Sequence, residues 1–196
     1  MKSGPVEQRL VPRHPDPGAT FLRGGKELGL LLGSIVPSHQ GLVEETSYYD
    51  PNDGSTMSYR VDRMTLVPHI AISGTRAEEF REWAIAALDC WTMDQSFALA
   101  RRALESGDVD DMVDALLVLF ISCPPAALIT DAWIELALEF LRHEDADVRD
   151  SAVAGAFFGF WRHPMIQAEI GKMLEHDPSE AVRSRAAVLE KGWRTS

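Results

Sequence analysis

Residues 143–161 read HEDADVRDSAVAGAFFGFW, and residues 176–193 read HDPSEAVRSRAAVLEKGW. The two stretches share one pattern. Val148-Arg149 recurs as Val182-Arg183, and Ala152 recurs as Ala186, each 34 residues further on. A histidine opens both copies, at 143 and 176, with one residue of slack in the acidic turn that follows. A fixed period in this range marks stacked supersecondary units, each too thin to bury its apolar face alone.

Val113-Asp114 lies 35 residues before Val148-Arg149, so Asp108–Arg142 reads as an earlier, degenerate copy. Asp114 then takes the place of Arg149, and an Asp114–Arg149 pair across the stack is expected. Residues 75–107 have the length of one further helix pair. Thr75-x-x-Glu78 reads as a capping box, and Asp108 and Thr130 read as N-caps. The helices expected are 75–91, 92–107, 108–122, 130–142, 146–162, 164–175 and 179–193, joined by connections short enough for antiparallel packing. The run Ser151–Trp161 is apolar nearly all round, so it is expected to be sandwiched between layers. Within it, Gly155 and Gly159 would permit close approach, while Phe157, Phe160 and Trp161 fill volume.

An acidic turn, then Val-Arg, then small apolar residues on a helix resembles the HEAT-repeat family, most clearly over residues 144–193. The resemblance implies a mainly α fold, a short HEAT-like α-solenoid of antiparallel helix pairs over residues 75–196. It also implies a non-enzymatic scaffold or adaptor, a fold-level inference only.

The N-terminal part differs in character. Residues 1–17 hold four prolines and no periodicity, and are expected to be extended or disordered. Residues 18–74 form a mixed segment expected to cap the solenoid. A helix is expected over 19–32, weakened by Gly24, Gly25, Gly29 and Gly33. LVEETSYY and STMSYRVD flank DPNDG, which predicts a β-hairpin carrying Tyr48, Tyr49 and Tyr59. Residues 65–72, TLVPHIAI, read as a third extended piece that Pro68 confines to an edge or to non-sheet structure.

The formal charge of −11 is uneven: residues 1–80 carry 8 basic and 10 acidic side chains, residues 81–196 carry 11 and 20. Such a surface repels phosphate backbones and anionic lipid and steers basic proteins. The carboxylates gather at expected helix starts: Asp110, Asp111 and Asp114, then Glu144, Asp145, Asp147 and Asp150, then Asp177 and Glu180. Stacking would align these nine as an acidic partner-binding ridge. Capping of free N–H groups and Asp–Arg ladders between repeats would explain individual members equally well.

Other chemistry finds little support. His143, His163 and His176 sit in successive turns and need not converge as zinc requires, so no metal and no cofactor is expected. No nucleophile elbow, Cys/His pair or HExxH stands in the chain. Cys90 and Cys123 read as reduced core residues. Five tryptophans read as core, since the negative charge argues against a nucleic-acid groove. With no apolar leader and no stretch of about 18 apolar residues, a cytoplasmic location without membrane contact is expected. The sequence therefore predicts an acidic protein–protein interaction module holding a basic protein partner, a role that suits an immunity or inhibitor protein against a toxin. The rival readings are a HEAT-like enzyme, glycosylase-like or lyase-like, and a structural adaptor subunit.

Overall fold

The structure is a computed structural model and describes residues 7–14, 17–36, 43–62, 67–122, 129–156 and 163–194. The chain divides into two compact units, Met1–Thr92 and Met93–Ser196.

In the first unit, β1 (Gln8–Leu10), β2 (Leu31–Val36), β3 (Val43–Tyr49), β4 (Thr56–Asp62) and β5 (Pro68–Ser73) form one antiparallel sheet in the order β1-β5-β4-β3-β2. Two helices, α1 (Gly18–Glu27) and α2 (Ala77–Leu88), pack against it. Strand side chains alternate between faces, so Met57 and Tyr59 of β4 and Ile70 and Ile72 of β5 meet Phe21, Phe80, Ala84 and Leu88 of the helices in one core. The expected hairpin is β3–β4. Its turn is held by Asp50, which accepts from the Asn52 amide at 2.7 Å, and by Asp53, which accepts from the Ser55 amide at 2.8 Å.

The Pro-rich start is extended over Gln8–Leu10 and joins the sheet: Arg9 pairs with Ala71, and Leu10 and Val11 are buried. Three other expectations for this region change. The helix expected over 19–32 stops at Glu27, because Gly29 takes the left-handed conformation at φ +70° and the chain turns into β2. The glycines read as weakening this helix have a packing role. A Cβ on Gly24 would lie 1.8 Å from a Trp83 ring carbon, so α1 can lie against α2 only with glycine there. Strand β5 is interior rather than an edge. Pro68 pairs with Val61 on one side, and β1 reaches only Ile70–Ile72 on the other, so the missing N–H breaks no ladder.

The helix expected to open the repeats belongs instead to this sheet unit. Thr75 does not cap it: its hydroxyl donates to Asp53, and α2 begins at Ala77 behind Arg76, which makes no side-chain cap. Arg76 ties the helix start to the β3–β4 turn, at 2.5 Å from Asp50 and 2.6 Å from Glu79. The compact helical unit therefore starts at Met93, not Thr75.

That second unit contains α3 (Met93–Ser106), α4 (Val109–Ile121), α5 (Asp131–Leu141), α6 (Ala146–Ala156), α7 (Pro164–His176) and α8 (Glu180–Arg194). Sequential helices pair as α3–α4, α5–α6 and α7–α8. Helix α6 packs on both α4 and α8, while α5 packs on both α3 and α7, which gives two layers. Val148 and Val182 are fully buried, and so are Ala152 and Ala186. The 34-residue register thus identifies equivalent core positions. In the earlier copy the buried pair is Met112 and Leu116, with Val113 only partly buried. The counterpart of Arg149 is therefore Val113, and Asp114 corresponds to Asp150. Gly155 makes its expected close approach, since a Cβ there would lie 2.2 Å from the Phe120 ring. Cys123, Phe157, Gly159, Phe160, Trp161 and the Trp193 side chain lie outside the described residues. Among those described, no helix is long and apolar enough to cross a membrane.

Candidate functional site

The repeated Val-Arg does its work at the joints between helices. Arg149 Nη1 donates to the carbonyls of His143 and Glu144 at 2.8 and 2.7 Å. Arg183 Nη1 donates to those of Asp177 and Pro178, the residues 34 positions on, at 2.5 and 3.2 Å. Each arginine thus satisfies carbonyls freed in the turn that precedes its own helix. Arg149 does more: its Nε and Nη2 grip both oxygens of Asp177 at 2.8 and 2.9 Å, and this pair is buried. A bidentate guanidinium–carboxylate pair is charge-assisted and directional. Bonding to Arg149 holds the Asp177 carboxyl below its ordinary range. The expected Asp114–Arg149 pair is absent among the described contacts, because the one-position shift in the first copy points Asp114 elsewhere and Asp177 takes the guanidinium.

These bonds also orient the layer. Arg149, in the first turn of α6, reaches the turn before α8, and Arg185 Nε in α8 lies 2.7 Å from Asp150 in α6. The two helices therefore run side by side in the same direction. Near the opposite ends, Gly155 of α6 meets Phe120 of α4, so α4 runs the same way. The N-termini of α4, α6 and α8 share one end of the layer.

The nine carboxylates predicted as a ridge fall into two groups. Three are used internally. Asp177 binds Arg149, Asp150 binds Arg185, and Asp145 accepts from the amides of Asp147 and Val148 at 2.8 and 3.2 Å as the cap of α6. The other six, Asp110, Asp111, Asp114, Glu144, Asp147 and Glu180, are exposed, and none forms an ion pair with a described residue. Capping of α4 is done by Asp108, which accepts from the Asp111 amide at 3.0 Å. The exposed six are therefore surplus to the local bonding.

A groove of about 770 Å³ opens on the layer of α3, α5 and α7 and reaches the start of α6 at His143 and Glu144. Leu104 of α3, Leu138 of α5 and Met165 of α7 give it an apolar lining, and Glu135, Glu139, Arg142, His143 and Glu144 supply the polar groups. Met165 is exposed at 53%. Glu139 is matched by Arg101 at 2.7 Å, and Arg142 is drawn to Glu169 at 2.7 Å. Glu135 and Glu144 have no ion-pair partner among the described residues, so the groove keeps an acidic rim over an apolar floor. Of the groove residues, the sequence had singled out only Glu144 as a partner contact. Glu135 and Glu139 lie at i, i+4 on α5, a spacing that places both on one face and was the available signal. Their groove mates come from two other helices, which no local spacing discloses.

Among the described residues no group of three His, Cys, Asp or Glu side chains is placed to hold a metal ion. Tyr48 is buried with its ring tilted against Phe21 at 5.6 Å, and Tyr59 lies 5.9 Å from the same ring, so these two tyrosines serve the sheet core. Trp133 is buried against Phe97, Trp83 lies under α1, and Arg13 stacks over Trp91 at 3.9 Å. Burial pushes the Cys90 thiol up to about 12, which leaves it an inert thiol. His69 is buried on β5 and its pKa falls to about 4, chiefly through desolvation. No family model, no curated protein and no solved structure matches this chain.

Proposed function

We propose that the helical unit is a HEAT-like stack that binds a basic protein partner through its acidic end and performs no catalysis. The two-layer packing, the 34-residue register of Val148 with Val182 and the repeated arginine clamps support the HEAT-like reading. One observation carries the binding proposal: six exposed carboxylates at the shared end of α4, α6 and α8 are unused by the fold, beside a groove with an apolar floor and an unpaired acidic rim. Residues 93–196 hold 18 acidic and 10 basic side chains, so this excess is not balanced within the unit. Unrelieved like charge along one edge is self-repelling, and a cationic partner removes that cost while steering its own approach. The occupant that fits is a Lys/Arg-bearing segment with apolar side chains for Leu104, Leu138 and Met165. Neutralisation of a basic toxin in the manner of an immunity protein is the biological role that fits this surface.

The test uses the triple reversal Asp111→Lys, Asp147→Lys, Glu180→Lys, together with Glu135→Lys in the groove. A partner recovered on the immobilised chain from the native host is identified by mass spectrometry and rebound to each variant across a salt series. The expected partner is basic, its association slows at least tenfold in the triple variant, and the salt dependence flattens. An acidic partner, or association indifferent to salt and to all four changes, overturns the proposal.

A further inference from the structure

The two edges of the sheet are treated differently. On one side β1 is three residues long, carries Arg9, and its continuation is tied down: the Trp91 amide donates to the Val11 carbonyl at 2.8 Å, and the Arg13 amide to the Asp89 carbonyl at 3.1 Å. On the other side β2, Leu31–Val36, has six residues, LLGSIV, none of them charged and none proline. Among the described residues it pairs with β3 alone. Leu31, Leu32 and Ile35 are exposed at 48, 51 and 63%. Sheet edges are normally guarded by short strands, lysine, proline or bulges, because open N–H and C=O groups accept another strand. Here only a bulge between Leu32 and Ser34 interrupts an otherwise apolar edge.

We propose that β2 pairs with β2 of a second copy of this chain, joining two five-stranded sheets into one ten-stranded antiparallel sheet across a two-fold axis. Three observations select a second copy as the occupant. The first is the strand's own pattern. Reversed about Gly33-Ser34, LLGSIV reads VISGLL, so a two-fold there sets Leu31 against Val36 and Leu32 against Ile35, apolar on apolar. The second is the bulge. Leu32 lies opposite Tyr48 and Ile35 opposite Thr46, two β3 positions that share a face. Residues three apart would ordinarily point to opposite faces, and the extra residue brings Leu32 and Ile35 to the same one. Under the two-fold they meet across the new seam.

The third is charge. Two chains of net charge −11 repel wherever carboxylates face each other. The partner pairs Leu31–Tyr49, Leu32–Tyr48, Ser34–Ser47 and Ile35–Thr46 form an uncharged window. The first carboxylate beyond it, Glu45 opposite Val36, is already matched by Arg60 at 3.3 Å. A cationic partner would gain nothing from this window, which separates it from the acidic surface of the helical unit. Strand addition across a two-fold uses the same patch twice, as an isologous contact requires.

The experiment measures the mass of the full chain in solution by light scattering and sedimentation. Wild type is expected at twice the mass of one chain. Ile35→Lys is expected to halve that mass with an unchanged melting temperature for the monomer. Leu32→Lys and Ile35→Glu should each be monomeric alone and form a one-to-one heterodimer when mixed, because the introduced lysine of one faces the introduced carboxylate of the other. A monomeric wild type overturns the proposal, as does a dimer that survives Ile35→Lys. Cooperative unfolding lost in both position-35 variants would mean that Ile35 belongs to the chain's own core, and mixed variants that stay apart would exclude the two-fold. Either result also overturns it.

Discussion

The sheet unit and the helical unit solve the same burial problem with different kinds of contact. In the helical unit each layer repeats the last, so a residue such as Val148 finds in Val182 a neighbour's equivalent, and the joints are made by the same arginine in the same place. Its polar excess is therefore easy to sort into carboxylates the fold uses and carboxylates it does not. In the sheet unit nothing repeats. β1 joins β5 across some sixty residues, and Arg60 reaches both Glu7, just ahead of β1, and Glu45 of β3. Local loops and helices there are held by one-off contacts, such as Trp83 against Gly24. Repetition lets one rule serve many positions, whereas a sheet closed by distant strands needs each contact specified separately.

The largest expected effect tests the repeat itself. Arg149 and Arg183 are equivalent in sequence, yet only Arg149 holds a buried carboxylate. Arg149→Ala should destabilise the helical unit by about 3–5 kcal/mol, because it strands Asp177 as an unpaired buried charge. Arg183→Ala removes only bonds to carbonyls and should cost about 1 kcal/mol. Equal losses in chemical denaturation would show that the two joints are the same after all.

Next in size is a pH effect confined to the sheet unit. His69 sits neutral in the sheet with its pKa lowered to about 4 from an ordinary 6.5. Between those values the unfolded chain binds a proton that the folded chain does not, so stability rises with pH. It is complete above about 6.5 and falls as pH drops toward 4, by roughly 3 kcal/mol in all. His69→Leu should abolish that slope between pH 6.5 and 4 in urea titrations. A slope that persists in the variant would assign the acid sensitivity to other groups.

The smallest effect differs in sign between the units. Gly24→Ala improves helix propensity but drives a methyl group into Trp83, so a net loss of about 1–3 kcal/mol is expected. Gly171→Ala in α7 meets nothing within 4 Å and should gain about 0.4–1 kcal/mol. Melting temperatures that move in the same direction would mean that propensity outweighs packing in both units.

Much of the helical unit was legible in the chain. Asp108 caps α4, Pro164 opens α7, and the burial of Val148, Val182, Ala152 and Ala186 follows from the period alone. The misassignment of Asp114 arose where the first copy slips its register, leaving Met112 rather than Val113 in the core. Helix α2 was misplaced for another reason. Phe80, Ala84 and Leu88 give it an apolar face, and a face of that kind does not state whether it will meet a helix or a sheet.

The chain alone discloses the helix starts of the second half, its mainly helical character and the surplus of carboxylates at the starts of α4, α6 and α8, because caps, period and charge are local properties. Which of those carboxylates are consumed depends on the folded chain: Asp177 goes to Arg149 and Asp150 to Arg185. Folding alone made a five-stranded sheet of an expected hairpin, by bringing Gln8–Leu10 beside Ile70–Ile72 and Leu31–Val36 beside Glu45–Tyr49. It alone assembled the groove from three helices. Such choices depend on which surfaces are close after folding, and the free energy that settles them comes from burial shared among residues far apart in the chain.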